Sequence, residues 1–263
     1  MDGEVTVNAT ARRELILAEL VAGEVDVRAL ATRFDVSEST IRRDLRQLTE
    51  DGLVRRTYGG ALAARAGEPT VSVKQRRNVT AKRAIARKAA SWISPGDSLL
   101  LDAGTTTGLL AWELRHHRDL VVLTNGVSAM DALRDCEGIE LIVVGGTLRP
   151  ISQSLLGPLA ERALELFTPD HVFVGVDAVE PDRGVNCPSL WHSSWKGRLL
   201  SLGRQVTILA DASKLGGGAY DWWAPLPGGV RLLTDTSATD AQVRPFTEVG
   251  LDVEVAPESA VEP

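Results

Sequence analysis

Six continuous apolar runs in the second half of the chain constrain its fold more than any other feature. Their apolar residues follow one another without alternation, which is typical of strands buried on both faces. Helical stretches separate the runs, and strands that alternate with helices form a parallel α/β sheet. A last helix and strand are predicted within residues 237–256. The runs are SLLLDAG at 98–104, LVVLTN at 120–125, IELIVVGG at 139–146, HVFVGVD at 171–177, QVTILAD at 205–211 and VRLLTD at 230–235.

Polar and glycine-rich residues follow these runs at the carboxyl ends of the predicted strands, where ligands bind in parallel α/β sheets. The first run continues through Gly104 and Thr105-Thr106-Thr107 directly into a predicted helix. Such a helix N-terminus offers backbone N–H groups to a phosphate, although this loop alone is equally compatible with a simple helix start. Five polar ends on one rim favour a site for an anionic ligand.

Three short helical patterns occupy the first sixty residues. The first spans about residues 11–22, the second begins after Asp26, and the third begins after Ser37. Asp26 and Ser37 are both favourable N-cap residues. The very short connection Asp35-Val36 joins the second and third helices. This arrangement is typical of a helix-turn-helix.

The third helix separates an apolar stripe from a polar face. Ile41, Leu45 and Leu48 recur at helical spacing, which predicts a buried side. The side chains away from this stripe would face the major groove of DNA. Taken alone, the arginines have an alternative explanation, which is a small helical domain with a solvated arginine face. The outward residues are Ser39, Thr40, Arg42, Arg43 and Arg46.

The segment LVRRTYGGAL at residues 53–62 predicts a two-stranded wing after the third helix. Gly59-Gly60 supplies a turn, and Arg55 and Arg56 lie beside it. Basic residues in that position suit the phosphate backbone or the minor groove.

The net charge of −6 and the pI of about 5.3 would by themselves argue against nucleic-acid binding. The distribution of charge matters more, and arginines cluster at 42–46 and 55–56 while the acidic surplus lies largely beyond residue 95. No apolar run approaches the roughly 18 residues of a membrane span, and the first residues lack a secretion signal. Cys136 and Cys187 have no metal or disulfide spacing, so we expect a cytoplasmic protein without metal or cofactor.

The segment VSESTIRRDLRQLTEDGLVRRTYGGAL at residues 36–62 resembles the DNA-binding domain of the DeoR family of bacterial repressors. The signature of that family runs from the turn through TIRRDL to the YGGA wing, and it is unbroken here. The resemblance implies a winged helix-turn-helix that binds double-stranded operator DNA. The expected DNA-binding residues are Ser37, Ser39, Thr40, Arg42, Arg43, Arg46, Arg56 and Tyr58.

The second half resembles the effector domain of the same family, whose fold is similar to that of ribose-phosphate isomerases. The matching segments are Lys82, DAGTTT at 102–107, TN at 124–125, GGTLR at 145–149, Gly157, FVGVD at 173–177, Lys196 and LADASKLG at 209–216. The resemblance, from about residue 11 to 236, implies a repressor that senses a phosphorylated sugar or related metabolite. Because two operator half-sites usually need two DNA-binding domains, a homo-oligomer is also expected.

The effector is expected to place its phosphate on the loop Gly104–Thr107, with Arg149 and Lys214 supplying positive charge. Asp102, Asn125 and Asp177 are expected to hydrogen-bond sugar hydroxyls. The complete set of predicted effector-binding residues is Asp102, Gly104, Thr105, Thr106, Thr107, Thr124, Asn125, Gly146, Arg149, Asp177, Lys196, Asp211 and Lys214.

A sugar-phosphate isomerase with an added DNA-binding arm is the rival hypothesis. Such enzymes carry a glutamate immediately before the lysine that matches Lys196, and it moves the proton. Here Trp195 takes that place and cannot accept a proton, which favours a sensor. A DNA-binding structural protein without a ligand is a third possibility, but it would leave the polar rim without a purpose.

Aromatic residues near Lys196 depart from the usual family pattern. Trp191 and Trp195 are i, i+4 neighbours on a predicted helix, and Tyr220, Trp222 and Trp223 follow. Packing in the core or at a subunit interface is one interpretation, and an aromatic wall at the mouth of the ligand site is the other. His192 shares no ligand spacing with a second His or Cys, so a metal site is not expected.

The predicted organisation is a winged helix-turn-helix over residues 1–62, a linker over 63–78, an effector-binding α/β domain over 79–256 and a disordered tail over 257–263.

Overall fold

The computed structural model describes residues 12–13, 15–16, 25–50, 54–56, 60–63 and 68–257. Residues 12–13 and 15–16 are helical and belong to the predicted first helix, most of which lies outside the described residues. Tyr58 and the predicted tail beyond residue 257 also lie outside them. The chain divides into two compact units, residues 1–74 and 75–263.

The first unit has a helix-turn-helix followed by a small antiparallel sheet. Its elements are β1 (Val25–Asp26), α1 (Val27–Arg33), α2 (Glu38–Glu50), β2 (Val54–Arg56) and β3 (Gly60–Ala63). The strand order is β1-β3-β2, so the predicted two-stranded wing is joined by a third short strand. Helix α3 (Val71–Arg76) contains the boundary between the two units and lies within the segment that the sequence analysis assigns to the linker.

The predicted caps of the two helices are confirmed. The Asp26 carboxylate accepts the backbone N–H groups of Arg28 and Ala29, and Ser37 Oγ accepts the N–H of Thr40 at 3.2 Å. Asp35 adopts a left-handed conformation with φ of 49°, which reverses the chain between the helices. These local features give the short turn that the sequence predicts.

The predicted apolar stripe of α2 is the core of the first unit. Ile41 is fully buried, and Leu45 and Leu48 are nearly so. They pack in one cluster with Leu30 of α1 and with Ile16. The amphipathic spacing therefore orients α2 and leaves its opposite face to solvent.

The second unit is built on a seven-stranded parallel sheet with strand order β15-β14-β12-β9-β4-β5-β6. All six predicted strands are present, together with the predicted last helix and strand. The sheet strands are β4 (Ser98–Leu101), β5 (Leu120–Thr124), β6 (Ile139–Val143), β9 (His171–Gly175), β12 (Gln205–Leu209), β14 (Val230–Asp235) and β15 (Asp252–Ala256). The helices are α4 (Val79–Ala90), α5 (Thr105–Leu114), α6 (Val127–Leu133), α7 (Pro158–Leu164), α8 (Leu190–Leu200) and α9 (Asp240–Glu248).

Helices cover both faces of this sheet, which explains the continuous apolar runs. Leu99 and Leu101 pack with residues of α4, α5 and α6, whereas Leu100 between them packs with residues of α7, α8 and α9. The prediction of burial on both faces is wrong for β6, which lies at the edge of the sheet and exposes Ile142 and Val143.

Two small elements that the sequence analysis did not predict follow the carboxyl ends of the sheet strands. One is the hairpin β7 (Thr147–Arg149) and β8 (Ser154–Leu156), and the other is the antiparallel sheet β10 (Ala178–Glu180), β11 (Gly184–Cys187) and β13 (Trp222–Ala224). Gly146 opens the hairpin with φ of +138°, and a Cβ there would lie 2.6 Å from the carbonyl oxygen of Leu156. The local backbone therefore requires this glycine.

The chain reverses its direction of travel across the sheet between β4 and β9. From β4 it proceeds through β5 to β6, and it returns to the other side of β4 to continue through β9, β12, β14 and β15. Ligands of open α/β sheets bind in the crevice at such a switch point. The carboxyl ends of β4 and β9 are thus the place to look for a site.

Candidate functional site

The polar face of α2 is open to solvent, as the sequence predicts. Ser37, Ser39, Arg42, Arg43 and Arg46 are exposed, and Thr40 is half-buried. The Ser37 hydroxyl hydrogen-bonds those of Ser39 (2.7 Å) and Thr40 (2.8 Å) at the start of the helix. The structure thus brings the predicted contacts of the recognition helix onto one surface. Arg56 lies in β2 opposite Ala61, but its side chain is outside the description, and Tyr58 is not described.

Two acidic residues of α2 carry interactions that the sequence analysis missed. Glu38 accepts from Arg42 at 3.3 Å and from Arg28 at 3.4 Å on the exposed surface. Asp44 is buried and accepts from Arg12 Nε at 2.7 Å, which ties the first helical segment to α2. Asp44 flanks the apolar stripe at three residues after Ile41, but its pairing gave no signal in the sequence because its partner lies 32 residues away.

Asp102, directly after β4, is the centre of a buried polar network at the switch point. Its side chain is only 2% exposed and accepts three hydrogen bonds: from the Lys196 ammonium, from Trp195 Nε1 at 3.0 Å and from the Gly175 N–H at 3.2 Å. Lys196 also donates to the Gly175 carbonyl oxygen. The structure therefore favours a role for Asp102 in holding α8 against β4 and β9, rather than the predicted contact with a sugar hydroxyl.

Asn125 and Thr124 are likewise engaged inside the protein. Asn125 Oδ1 accepts the N–H of Ala103 at 2.7 Å, and its Nδ2 donates to the Leu155 carbonyl at 3.3 Å. Thr124 Oγ1 donates to the Leu101 carbonyl at 2.6 Å. These bonds fix the path of the loop after β4. Both side chains thus form internal hydrogen bonds at the carboxyl end of β5.

The loop that leads into α5 keeps the features of a phosphate site. Gly104 is the N-cap and provides no side-chain cap, and the first bond of the helical ladder runs from the Gly108 N–H to the Gly104 carbonyl at 3.0 Å. The N–H groups of residues 105–107 precede that ladder and are the ones a helix N-terminus offers to an anion. Thr107 Oγ1 is buried and finds no hydrogen-bond partner among the described residues.

The charged residues predicted at the rim form looser contacts. Lys214 Nζ lies 3.9 Å from Asp177 Oδ1, with both side chains partly exposed. Arg149, at the end of β7, donates to Ser152 Oγ at 3.2 Å. Asp211 is buried, and its Oδ1 accepts from Asn78 Nδ2 at 2.8 Å, which ties the loop after β12 to the start of α4. Arg149, Asp177 and Lys214 thus retain partial exposure, whereas Asp211 has a mainly internal role.

His192 lies one turn before Lys196 on α8, and the sequence analysis considered it only as a metal ligand. It is 7% exposed, its Nδ1 lies 2.8 Å from Ser189 Oγ, and its Nε2 is buried without a partner among the described residues. Burial, together with the positive charges of Arg149 and Lys196, lowers the pKa of His192 to about 4. The imidazole is therefore neutral at neutral pH.

The aromatic residues divide between the two interpretations left open by the sequence. Trp195 is 1% exposed and belongs to the core, so the wall interpretation is wrong for this residue. Trp191 and Trp222 are exposed, and Trp223 is half-buried. The Arg183 guanidinium carbon lies over the Trp223 ring, 4.0 Å from the ring centroid. Among the described residues, no cluster of side chains is suited to a metal ion, and no helix is long and apolar enough to span a membrane.

Both units match known family profiles. The profile of the DeoR-like helix-turn-helix domain matches residues 12–66, and that of the DeoR C terminal sensor domain matches residues 77–235.

Several characterised and uncharacterised regulators are similar to the chain. The "Putative aga operon transcriptional repressor" of Escherichia coli O157:H7 is 38% identical over 81% of this chain and 81% of its own length. The HTH-type transcriptional regulator YulB of Bacillus subtilis is 32% identical over 94% of this chain and 97% of its own length. The transcriptional repressor AccR of Agrobacterium fabrum is 34% identical over 79% of this chain and 82% of its own length.

Among solved structures, ribose 5-phosphate isomerase A of Methanocaldococcus jannaschii aligns over 51% of this chain and 52% of its own, with 18% identity and a TM-score of 0.37. A similarity of this size has no bearing on activity, and nothing below rests on it.

Proposed function

The chain belongs to the DeoR family of transcriptional regulators, and from this premise we propose that it represses a sugar operon and that a phosphorylated sugar controls its DNA binding. The observation that carries the DNA-binding half is the separation of α2 into a buried apolar stripe and an exposed face of hydroxyl and arginine side chains. This face has the shape and chemistry that a recognition helix presents to the major groove.

Within the DNA-binding unit we assign different roles to α2 and to the wing. Arg42 and Arg43 project from the helix and suit bidentate contacts to guanine, whereas Arg56 in β2 suits the phosphate backbone. Arg43→Ala should then weaken operator binding about fivefold to 150-fold and relax the preference at one base pair. Arg56→Ala should weaken operator and random DNA alike and reduce the slope of affinity against salt concentration.

An operator selected from a random DNA library supplies the measurement. Binding of the wild type and of both variants is compared on that operator and on random DNA at several salt concentrations. Equal losses on the two DNAs for Arg42→Ala and Arg43→Ala would contradict the assignment of the recognition helix.

The proposal that the protein senses an effector rests on the crevice between β4 and β9. We propose that the phosphate binds the N–H groups and hydroxyls of residues 105–107 and that Lys214 and Arg149 add positive charge at the same rim. Asp177, partly exposed beside Lys214, is suited to a sugar hydroxyl. Asp102, Asn125 and Asp211 are positioning residues in this proposal, since their oxygens are engaged within the protein.

Control of DNA binding requires that the effector binds one conformation of the chain more tightly than another. A tenfold to hundredfold change in operator affinity corresponds to about 1.4–3 kcal/mol of such preference, a typical coupling free energy. Thr106→Ala and Lys214→Ala should therefore abolish the response to sugar phosphates while leaving operator affinity nearly unchanged.

Lys88→Ala is the matched control for Lys214→Ala. Lys88 is also a partly exposed lysine paired with a carboxylate, Glu254, but it lies on α4 away from the rim loops. If Lys214→Ala and Thr106→Ala respond at the wild-type sugar-phosphate concentration, the phosphate binds elsewhere.

We do not assign isomerase activity to the crevice. Trp195 occupies the place of the proton-transferring glutamate, and its indole N–H donates to Asp102 at 3.0 Å, so it supplies a donor where a base is needed. Turnover of ribose 5-phosphate by the purified protein would contradict this proposal. We further propose that the active form is a homo-oligomer in the cytoplasm, which a molar mass measured at micromolar concentration with and without operator will test.

A further inference from the structure

An unpartnered polar atom lies at the edge of the proposed effector crevice. His192 is more than nine-tenths buried, and its Nε2 has no hydrogen-bond partner among the described residues. Buried polar atoms are almost always paired, so each exception calls for an explanation. The proposed phosphate site does not use this residue.

The contact between Ser189 and the imidazole bears on which ring nitrogen carries the proton of the neutral ring. Ser189 Oγ caps α8 by accepting the backbone N–H of His192, and the same oxygen lies 2.8 Å from His192 Nδ1. If the serine hydroxyl donates to Nδ1, its hydrogen is used there while one of its two lone pairs accepts the backbone N–H. The proton of the neutral ring then sits on Nε2, which makes the unpartnered atom a hydrogen-bond donor.

His192 shares one face of α8 with Lys196, whose contacts lie beside the proposed phosphate loop. His192 and Lys196 are i, i+4 neighbours on one face of α8, separated by about 6 Å of rise along the helix. Lys196 donates to Asp102 and to the Gly175 carbonyl, beside the loop that starts at Gly104. His192 therefore lies one helical turn from the lysine that contacts Gly175 beside the proposed phosphate loop.

The charged groups that act on the imidazole all belong to the rim. They are Arg149 and Lys196, which are positive, and Asp102 and Asp177, which are negative. Because the ring is neutral, it can distinguish ligands by their shape and hydrogen-bonding pattern without adding to the positive charge that already attracts an anion.

We propose that His192 Nε2 donates a hydrogen bond to an oxygen at the end of the effector opposite its phosphate, and that this contact determines which sugar phosphate the protein senses. The inference rests on the proposed function and deepens it, since it concerns the same crevice. A donor buried in advance of ligand binding discriminates strongly, because a ligand without an acceptor there leaves it unpaired. Phosphate attraction and sugar selection are thus assigned to different elements, the α5 loop and α8.

The test compares inorganic phosphate with ribose 5-phosphate, fructose 6-phosphate and 6-phosphogluconate, which share a phosphate but differ at the far end. Affinities of the full chain are measured by calorimetry for the wild type, His192→Leu and His192→Gln. His192→Leu should lose roughly tenfold to hundredfold in affinity for the sugar phosphate that binds best, and His192→Gln, whose amide still donates, should lose less. Inorganic phosphate should bind all three proteins equally. Leu190→Ala, at the exposed first position of the same helix, is the matched control and should bind like the wild type.

A second measurement on the wild type does not depend on how the variants fold. The ¹⁵N resonance of His192 Nε2, assigned by its loss in His192→Gln, should move when the best sugar phosphate is added and stay in place with inorganic phosphate. If the sugar phosphate binds without moving this resonance, or binds His192→Leu as tightly as the wild type, the inference is wrong while the proposed function stands. If no member of the panel binds the wild type, both are overturned.

Discussion

Helices α2 and α8 carry side chains of the two proposed binding sites, but they expose them in opposite ways. On α2 the apolar residues form one stripe, and the hydroxyl and arginine side chains face solvent. On α8 the polar residues His192 and Lys196 are buried together with Trp195. The first helix has a free surface for a large polyanion, and the second encloses groups suited to a small ligand.

The difference shows how solvent exposure decides what a side chain can be used for. An exposed arginine on α2 remains hydrated, so the role proposed for it follows from its place on the helix. A buried lysine on α8 must be paired to be tolerated at all, and its partner Asp102 is thereby engaged inside the protein. The buried polar atoms are therefore first paired within the protein. Only the atoms that this network leaves out are available for recognition.

The largest effect is expected from breaking the buried network of α8. Asp102→Ala leaves the Lys196 ammonium buried without its counter-charge and removes the acceptor of the Trp195 and Gly175 N–H groups. We expect a loss of about 3–5 kcal/mol in the free energy of unfolding. Urea unfolding followed by tryptophan fluorescence reports this unit selectively, since all six tryptophans lie between residues 92 and 223.

Two further variants sharpen that result. Adding Lys196→Met to Asp102→Ala removes the orphaned charge and should recover part of the lost stability. Asp44→Ala applies the same logic to the one buried carboxylate described on α2, whose partner Arg12 lies 2.7 Å away. A change below about 1 kcal/mol for Asp102→Ala would mean that Lys196 reaches water, and the contrast between the helices would fail.

A second, smaller effect is the pH dependence that His192 confers. Its pKa is lowered from 6.5 to about 4 in the folded protein, chiefly by burial and then by Arg149 and Lys196. Below pH 6.5 His192 is protonated in the unfolded chain but stays neutral in the folded chain. The folded state therefore has its full stability above pH 6.5 and loses stability as the pH falls toward 4. Between pH 7.5 and pH 5 this amounts to about 2 kcal/mol.

His192→Gln provides the comparison for this prediction, because glutamine does not titrate in this range. The wild type should lose about 2 kcal/mol more than the variant when the unfolding free energy is measured by tryptophan fluorescence at the two pH values. Parallel losses in both proteins would show that the imidazole is protonated, and therefore hydrated, in the folded state.

The sequence predicts the features that depend on local spacing better than those that depend on distant contacts. The caps Asp26 and Ser37, the stripe of α2 and all six apolar strands depend on local spacing, and they are confirmed. Strand ends of a parallel sheet meet on one rim by geometry, so the gathering of polar residues there could also be anticipated. The placement of β6 at the edge could not, because its apolar composition matches that of the central strands.

The partners of the buried carboxylates could not be predicted from the sequence. Asp102 pairs with a lysine 94 positions later, and Asp44 with an arginine 32 positions earlier. Spacing carries no signal at such separations. For the same reason the sequence identifies Trp195 as an aromatic neighbour of Lys196, but it does not predict that the buried indole donates to Asp102.

A third prediction concerns the cap of the exposed helix. Ser37 Oγ accepts the Thr40 N–H at 3.2 Å, and Ser37→Ala should cost about 1 kcal/mol in the unfolding free energy of the first unit. Far-UV circular dichroism is the suitable probe, because this unit contains no tryptophan. Ser37→Asp should restore the cap and the stability. Since Ser37 is also a predicted DNA-binding residue, failure of Ser37→Asp to recover operator affinity would separate its two roles.

The smallest effect is expected for the exposed ion pairs of α2, and it completes the contrast with the buried pair of α8. Glu38 lies near Arg42 at 3.3 Å and Arg28 at 3.4 Å, but these side chains are 42%, 60% and 86% exposed. Pairs so open to water contribute little, so Glu38→Gln should change the unfolding free energy by no more than about 0.5 kcal/mol. Operator affinity should nevertheless rise slightly, because a negative charge next to the recognition face is removed and Arg42 is released toward DNA. Circular dichroism and operator binding at low and high salt measure the two quantities, and the gain in affinity should shrink as salt screens the charges. A loss of stability as large as that of Asp102→Ala would show that exposure does not distinguish the two helices after all.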